Sequence, residues 1–275
     1  MSSDQQAPEL NPRTIRLADL TDKTVREKVL VCHQIEPCEV VRCAVELDAT
    51  QIIQDTNPHF PTELTSALEM LDNPRSFFDL PFSTVLSPTT ITAANEQNLI
   101  LCDIAFNQTG DKERVLSAVE GAVTALARPQ SLTYDVKLVA DELFMNALYN
   151  APVGSHSPKV NRSVNVELPP GKTCRLALGR DEGRLVLLCE DSFGSLEMAP
   201  YLARLLKCYT EGVRNAMNWG MGGAGIGCYM IFESCMSIYL GVKPNEKTLI
   251  ACVFALGKGT RARQEMSKSI HYTKS

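Results

Sequence analysis

The alternation of apolar and polar residues predicts strands in the second half of the chain. The apolar positions recur with the two-residue period of a half-buried sheet, and Gly, Asp, Pro or Asn residues interrupt them at turns. The pattern indicates one hairpin around residues 181–183 and another around residues 243–245. The predicted strands cover residues 99–106, 164–168, 175–178, 185–189, 237–242 and 248–256.

Apolar residues at three- and four-residue spacing predict helices between these strands. Those helices cover residues 111–126, 135–151, 198–209 and 226–235. The order of elements favours the α+β class, as a two-layer α/β sandwich with an antiparallel or mixed sheet and helices on one face. No internal repeat is present.

The first part of the chain predicts a small mixed α/β domain within residues 1–95, with strands at 28–32 and 40–47 and a helix at 61–71. Residues 83–98 are rich in Ser, Thr, Pro and Ala and predict a linker. Large apolar side chains crowd just before it, and we expect them to pack against the second domain, residues 96–258. They are Phe77, Phe78, Leu80 and Phe82. Residues 259–275 are basic and polar and predict a flexible tail.

Composition narrows the function classes. The 44% apolar and 21% charged residues are typical of a soluble globular protein. A net charge of −5 gives no electrostatic reason to expect nucleic acid as a partner. No apolar run is long enough to cross a membrane, and the N-terminus is polar. The ten cysteines have apolar neighbours, which predicts buried reduced thiols and a cytoplasmic protein.

The predicted helix at 135–151 carries a polar stripe. Glu142, Asn146 and Asn150 are four residues apart and therefore share one face, although most of the helix circumference is apolar. The stripe could be a solvated face. It could also form a binding or catalytic site, because an Asn amide oxygen is a hard ligand suited to Mg²⁺ and a carboxylate one turn earlier can accept a proton.

A glycine cluster precedes the predicted helix at 226–235. Gly223, Gly225 and Gly227 alternate, with Ile226 between the last two. Such spacing lets backbone N–H groups approach an anion next to a helix N-terminus. A flexible linker or a close helix–strand crossing would explain the glycines equally well. No Lys-Ser or Lys-Thr pair follows, so the cluster is not a Walker loop.

An acidic turn lies between these two features, with Asp191, Phe193 and Gly194 in it. Taken in order and spacing, the three features resemble the nucleotide site of the GHKL, or Bergerat-fold, ATPases. The similarity covers about residues 98–256 and is to the anti-sigma-factor serine/threonine kinase branch, in which a Glu stands four residues before the Asn.

The resemblance implies a role for each matching position. Asn146 would hold Mg²⁺, Glu142 would be the catalytic residue, and Asp191 would read the adenine amino group. Thr248 lies where the family keeps a hydroxyl close to the adenine. Asn150, Phe193, Gly194 and the glycine cluster complete the implied ATP site. The sequence departs from the family where Phe193 and Ser195 replace two expected glycines.

The implied function is an ATP-binding regulator that phosphorylates or sequesters a partner protein, such as an anti-anti-sigma-like or sigma-like regulator. The altered acidic turn keeps a second class open, a nucleotide-dependent binding switch without catalysis. A homodimer is compatible with either. The implied ATP lid contains Arg204, Lys207 and Arg214, which could reach a phosphate or form a solvated basic edge. His33 does not fit a phospho-acceptor helix, because several prolines would break the required hairpin.

Overall fold

A mixed sheet organises the fold. The computed structural model describes residues 29–47, 49–126, 129–153, 162–217, 226–257 and 259–275. The strands are β1 Val29–Cys32, β2 Gln51–Gln54, β3 Ile100–Phe106, β4 Cys174–Arg180, β5 Arg184–Asp191, β6 Ser237–Lys243, β7 Lys247–Ala255 and β8 Ser269–Lys274. Within the described residues they form one sheet in the order β1-β2-β8-β6-β7-β5-β4-β3. The β1–β2 and β8–β6 pairs are parallel, and the other pairs are antiparallel.

Helices connect the strands and cover the sheet. They are α1 Pro37–Glu46, α2 Phe60–Asp72, α3 Pro74–Asp79, α4 Pro81–Leu86, α5 Ala93–Leu99, α6 Lys112–Thr124, α7 Gln130–Met145, α8 Met198–Thr210, α9 Val213–Ala216, α10 Gly227–Ser234 and α11 Thr260–Gln264. A short 3-10 helix precedes α6 at Thr109–Asp111, and a π-helical turn continues α7 at Asn146–Asn150. No helix in the described part of the chain has the length and apolar character needed to span a membrane.

The two faces of the sheet bury different cores. On β4, Leu176 and Leu178 face a core shared with α1, α6, α7, α8 and α10. Ala177, between them, faces a second core with Phe77, Phe82 and other residues of α2–α4. This alternation is the two-residue period that the sequence showed. The predicted α+β class is confirmed, and the second face is covered by helices from the N-terminal part of the chain.

The N-terminal residues are part of this sheet. β1 and β2 extend the sheet that also contains β3–β7, so the residues before 96 do not form a sheet of their own. The expected packing of the phenylalanines is confirmed, since Phe77 and Phe82 are completely buried. The predicted linker contains α4 and α5 instead of an open segment. The Glu96 carboxylate accepts hydrogen bonds from the backbone N–H groups of Phe82 (3.1 Å) and Ser83 (2.6 Å), which caps the start of α4.

Three local predictions were wrong. Residues 40–47 belong mostly to α1, where Pro37 starts the helix and Val40, Val41 and Ala44 face the core. Residues 164–168 contribute only an isolated bridge, between Glu167 and Gln108. The expected tail contains β8, which lies between β2 and β6.

The sequence pattern did not indicate the strand β8, because the side chains that this strand buries are polar. Ser269 and His271 are completely buried, and Thr273 is 6% exposed. The Ser269 hydroxyl donates to the Glu63 carboxylate at 2.7 Å, and Ser237 also contacts that carboxylate. Lys268, just before the strand, is fully buried and donates to three main-chain carbonyls at the end of α10. Hydrogen bonds to neighbouring strands and helices therefore replace the apolar alternation that would reveal a strand.

Candidate functional site

The helix α7 and the turn that follows it carry the predicted polar stripe, which lies at one end of a cavity. Its apolar face, including Leu132, Val136 and Leu143, is buried against the sheet. At Asn146 the helix changes to a π-helical turn, and the Ala151 N–H donates to the Asn146 carbonyl at 3.0 Å. Single π turns inside helices are frequent at functional sites. Asn150 Nδ2 donates to Asn146 Oδ1 at 2.7 Å, so these two side chains share a face as expected.

The strand pair β5–β7 places Asp191 opposite Thr248. Asp191 is 8% exposed, and its Oδ1 accepts from the backbone N–H groups of Phe193 (2.9 Å) and Gly194 (3.2 Å). Burial raises the pKa of the Asp191 carboxyl, and these backbone N–H groups, together with the neighbouring Thr248, oppose the rise. The acidic turn is thus held by its own carboxylate, which still has Oδ2 as an acceptor.

Gly194 is required by the shape of this turn. Its φ of +61° lies in the left-handed region, and a Cβ built there would come within 1.9 Å of the Lys243 carbonyl oxygen. The acidic turn and the β6–β7 turn therefore touch through this glycine. Phe193, which follows Asp191 in place of a family glycine, packs at the edge of the core. Its ring centroid lies 5.4 Å from Lys172 Nζ.

A cavity of about 290 Å³ lies between α7, the acidic turn and α8. Five of the predicted site residues line it: Asn146, Asn150, Asp191, Gly227 and Thr248. Leu143, Ala147, Cys189 and Ile250 make part of its wall apolar. An apolar cleft with a few convergent polar groups is typical of small-molecule sites.

Two hydroxyl groups in this cavity are unpaired within the described residues. The oxygens of Tyr201 and Thr248 are buried, and neither makes a hydrogen bond of normal geometry to a described residue. Burial raises the pKa of the Tyr201 hydroxyl far above its ordinary value, so this group is a neutral donor. A buried hydroxyl without a partner costs free energy, and a polar ligand could recover it.

An ionic cluster lies at the polar end of the cavity, where Asn146 and Arg162 line the cavity and Glu142 lies behind them. Arg162 Nη2 donates to Asn146 Oδ1 at 3.2 Å, and Arg162 Nη1 lies 3.8 Å from Glu142 Oε2. Burial raises the pKa of the Glu142 carboxyl, while the nearby Arg162 opposes the rise. A Cβ at Gly227 would lie 2.3 Å from Glu142 Oε2, so only glycine allows α10 to begin this close to the carboxylate.

Part of the predicted site lies outside the described residues. Gly223 and Gly225 fall there, and Ile226 is the residue just before α10. In the implied lid, Arg204 lines the cavity and donates to the Ala216 carbonyl at 2.7 Å. Lys207 lies 3.6 Å from Glu211, and Arg214 is exposed, so neither is placed in the cavity.

Sequence reasoning missed Arg162 and Tyr201. Arg162 comes 16 residues after Asn146, and Tyr201 lies in α8, beyond the acidic turn. Neither belongs to a recognisable spacing. Folding brings both to the cavity, and no local pattern marks them.

Comparisons with known proteins do not assign a function to this chain, so the assignment rests on the contacts described above. No family model and no curated protein matches the chain. A chain in the crystal structure of the SiaB–SiaC complex from Pseudomonas aeruginosa is similar, with 15% sequence identity and a TM-score of 0.36. The match covers 59% of this chain and 94% of that chain. A likeness at that TM-score carries no argument about function.

Proposed function

We propose that this chain is an ATP-binding regulatory protein that transfers phosphate to a Ser or Thr of a partner protein. The observation that carries the proposal is the convergence of Asn146, Asp191, Gly227 and Thr248 on one cavity. These residues come from α7, β5, α10 and β7, and the GHKL resemblance alone had grouped them. The unpaired hydroxyls of Tyr201 and Thr248 support a polar ligand there.

The residues present suit the base of a nucleotide. Asp191 Oδ2 can accept from an exocyclic amino group, because both backbone N–H groups use Oδ1. Thr248 can donate to a ring nitrogen, and the apolar wall around Leu143 and Ile250 suits an aromatic ring. ATP, when bound, would supply the phosphoryl group.

At the polar end, Glu142 would accept the proton of the partner's hydroxyl. Its raised pKa suits a general base, because a carboxylate with a higher pKa accepts a proton more readily. The predicted role of Asn146 as a Mg²⁺ ligand does not fit the described arrangement. Asn150 and Arg162 both donate to its amide oxygen, so Mg²⁺ at Asn146 would have to displace these donors.

The substitution Thr248→Val tests nucleotide binding with little cost to folding. It keeps the shape of the side chain and removes a hydroxyl that makes no hydrogen bond of normal geometry, although it lies beside the Asp191 carboxylate and lowers its pKa. The free energy of unfolding should therefore fall by less than about 1 kcal/mol. Loss of one hydrogen bond to the base should weaken ATP binding about 5–10-fold, measured by calorimetry. Thr84→Val is the control, since Thr84 lies in α4 on the opposite side of the sheet and donates to the Leu80 carbonyl just before that helix. Unchanged ATP affinity in Thr248→Val, or no ATP binding by the wild type, would refute the proposal.

The ion pair at Glu142 favours a second candidate, a switch that binds nucleotide without transferring phosphate. A carboxylate beside a guanidinium is a weaker base, and the nucleotide would then only change affinity for a partner. Radiolabelled ATP separates the two functions. Label on a partner Ser or Thr that disappears in Glu142→Gln supports the kinase, whereas nucleotide-dependent association without label supports the switch. The partner, an anti-anti-sigma-like or sigma-like regulator or a second copy of this chain, is part of the proposal.

A further inference from the structure

The guanidinium of Arg162 lies where the GHKL resemblance places a metal ion. It contacts Asn146 Oδ1 at 3.2 Å and lies 3.8 Å from Glu142 Oε2, the two side chains assigned to metal binding and catalysis. Arg162 also lines the cavity, and its side chain is only 23% exposed. The polar end of the site thus already contains a positive charge supplied by the chain itself.

A metal ion would have to displace this contact. Asn146 Oδ1 accepts from both Arg162 and Asn150, so its lone pairs are in use. Mg²⁺ demands near-ideal octahedral oxygen coordination, and a guanidinium stays charged at all physiological pH values. Binding the ion at Asn146 would break two hydrogen bonds and place two cations side by side.

Arg162 has a donor left for a ligand. Its Nε is buried and makes no hydrogen bond to any residue that the structure describes. A guanidinium with an unused donor in a cavity wall suits a phosphate, which it can contact through more than one N–H. Asn146 then holds the guanidinium in position.

We propose that Arg162 is the phosphate-binding cation of this site and that it replaces Mg²⁺, so that nucleotide binding is independent of the metal. The proposal rests on the proposed function for the nucleotide itself. It assigns Asn146 as the residue that positions Arg162. It also explains why a cationic side chain that no motif marks lies between Glu142 and Asn146.

The test compares ATP binding with excess Mg²⁺ and with excess EDTA, by calorimetry on the full chain. Wild-type affinity should differ less than about threefold between the two conditions. Arg162→Gln should lose about 10–100-fold in EDTA, the range for a hydrogen bond to a charged group. The loss should be smaller with Mg²⁺, since removal of the guanidinium frees Asn146 Oδ1. Arg204→Gln is the matched control, because Arg204 lines the same cavity but donates to the Ala216 carbonyl. It should stay independent of Mg²⁺.

Each outcome bears on a separate claim. ATP binding by the wild type that requires Mg²⁺ would overturn the role of Arg162 and leave the proposed function standing. No binding in either condition would overturn the proposed function and this inference with it. If Arg162→Gln fails to fold, which circular dichroism would show, the wild-type comparison decides by itself. Arg162→Lys, which keeps the charge, should then retain binding in EDTA.

Discussion

His271 should make the fold sensitive to mild acid. The imidazole is completely buried on β8 and stacks on Tyr239, with ring centroids 4.0 Å apart. Gln51 Nε2 donates to the Tyr272 carbonyl, so Gln51 Oε1 is left to accept from His271 Nδ1 at 2.9 Å. The other ring nitrogen, Nε2, has no partner within the described residues. A second proton would therefore be placed on Nε2 in an apolar environment.

Burial lowers the pKa of His271 from 6.5 to about 3. The folded protein consequently binds this proton less readily than the unfolded chain does. The stabilising effect of the neutral ring is fully present above pH 6.5 and is lost as the pH falls toward 3. Proton linkage predicts that the free energy of unfolding falls by about 2 kcal/mol between about pH 7.5 and about pH 5. The fall reaches about 4–5 kcal/mol once the pH equals the folded-state pKa.

Urea unfolding at the two pH values, on wild type and His271→Gln, measures this loss. Glu63 acts in the opposite direction, because burial raises the pKa of its carboxyl. For each protein, the change in unfolding free energy between the two pH values is therefore calculated. Subtracting the change of the variant from that of the wild type cancels the contributions of the other titrating groups. His33→Gln removes an exposed imidazole that bonds Asp55 and is the matched control. A difference below about 0.5 kcal/mol would refute the buried neutral imidazole.

Two further predictions concern single contacts. Lys268→Met should cost about 2–3 kcal/mol in urea unfolding, because three carbonyls at the end of α10 lose a charged donor. Lys274→Met, at the exposed end of β8, should cost less than about 0.5 kcal/mol, and equal losses would contradict this reasoning. Gly194→Ala should cost about 2–5 kcal/mol, as left-handed strain and a backbone clash at 1.9 Å add together. Gly171→Ala has a similar φ of +81° but no atom within 4 Å of the new Cβ, so thermal unfolding should show only about 1–2 kcal/mol.

The elements that could be predicted are those whose pattern is set by neighbours in the sequence. The hairpins around residues 181–183 and 243–245 follow from alternation and turn residues. The pairing of β5 with β7, which brings Asp191 opposite Thr248, joins the two hairpins and is not set by either turn. The segment at 40–47 was misread because its valines favour strands, while Pro37 and the helical period of the buried positions decide in favour of α1.

The rest depends on contacts that are distant in sequence. The strand β8 buries Ser269 and His271 because partners elsewhere in the chain satisfy their polar atoms, and no local pattern reports such partners. Arg162 reaches the cavity in the same way, through Glu142 and Asn146. The motifs therefore indicated five of the residues that line the cavity, whereas Arg162 could be placed there only by the structure.

The position of β8 also bears on how the sheet assembles. In the part of the chain that the structure describes, the pair β1–β2 joins the remaining strands only through β8, because β2 and β6 each bond to that strand and not to each other. The Gln51–Tyr272 hydrogen bond that accompanies this junction spans 221 residues of sequence. Closing so long a loop costs entropy before any contact repays it, whereas the β4–β5 and β6–β7 hairpins close locally. The hairpins should form early in refolding, and the pairing of β2 with β8 should be the slow event that couples β1–β2 to the rest of the sheet.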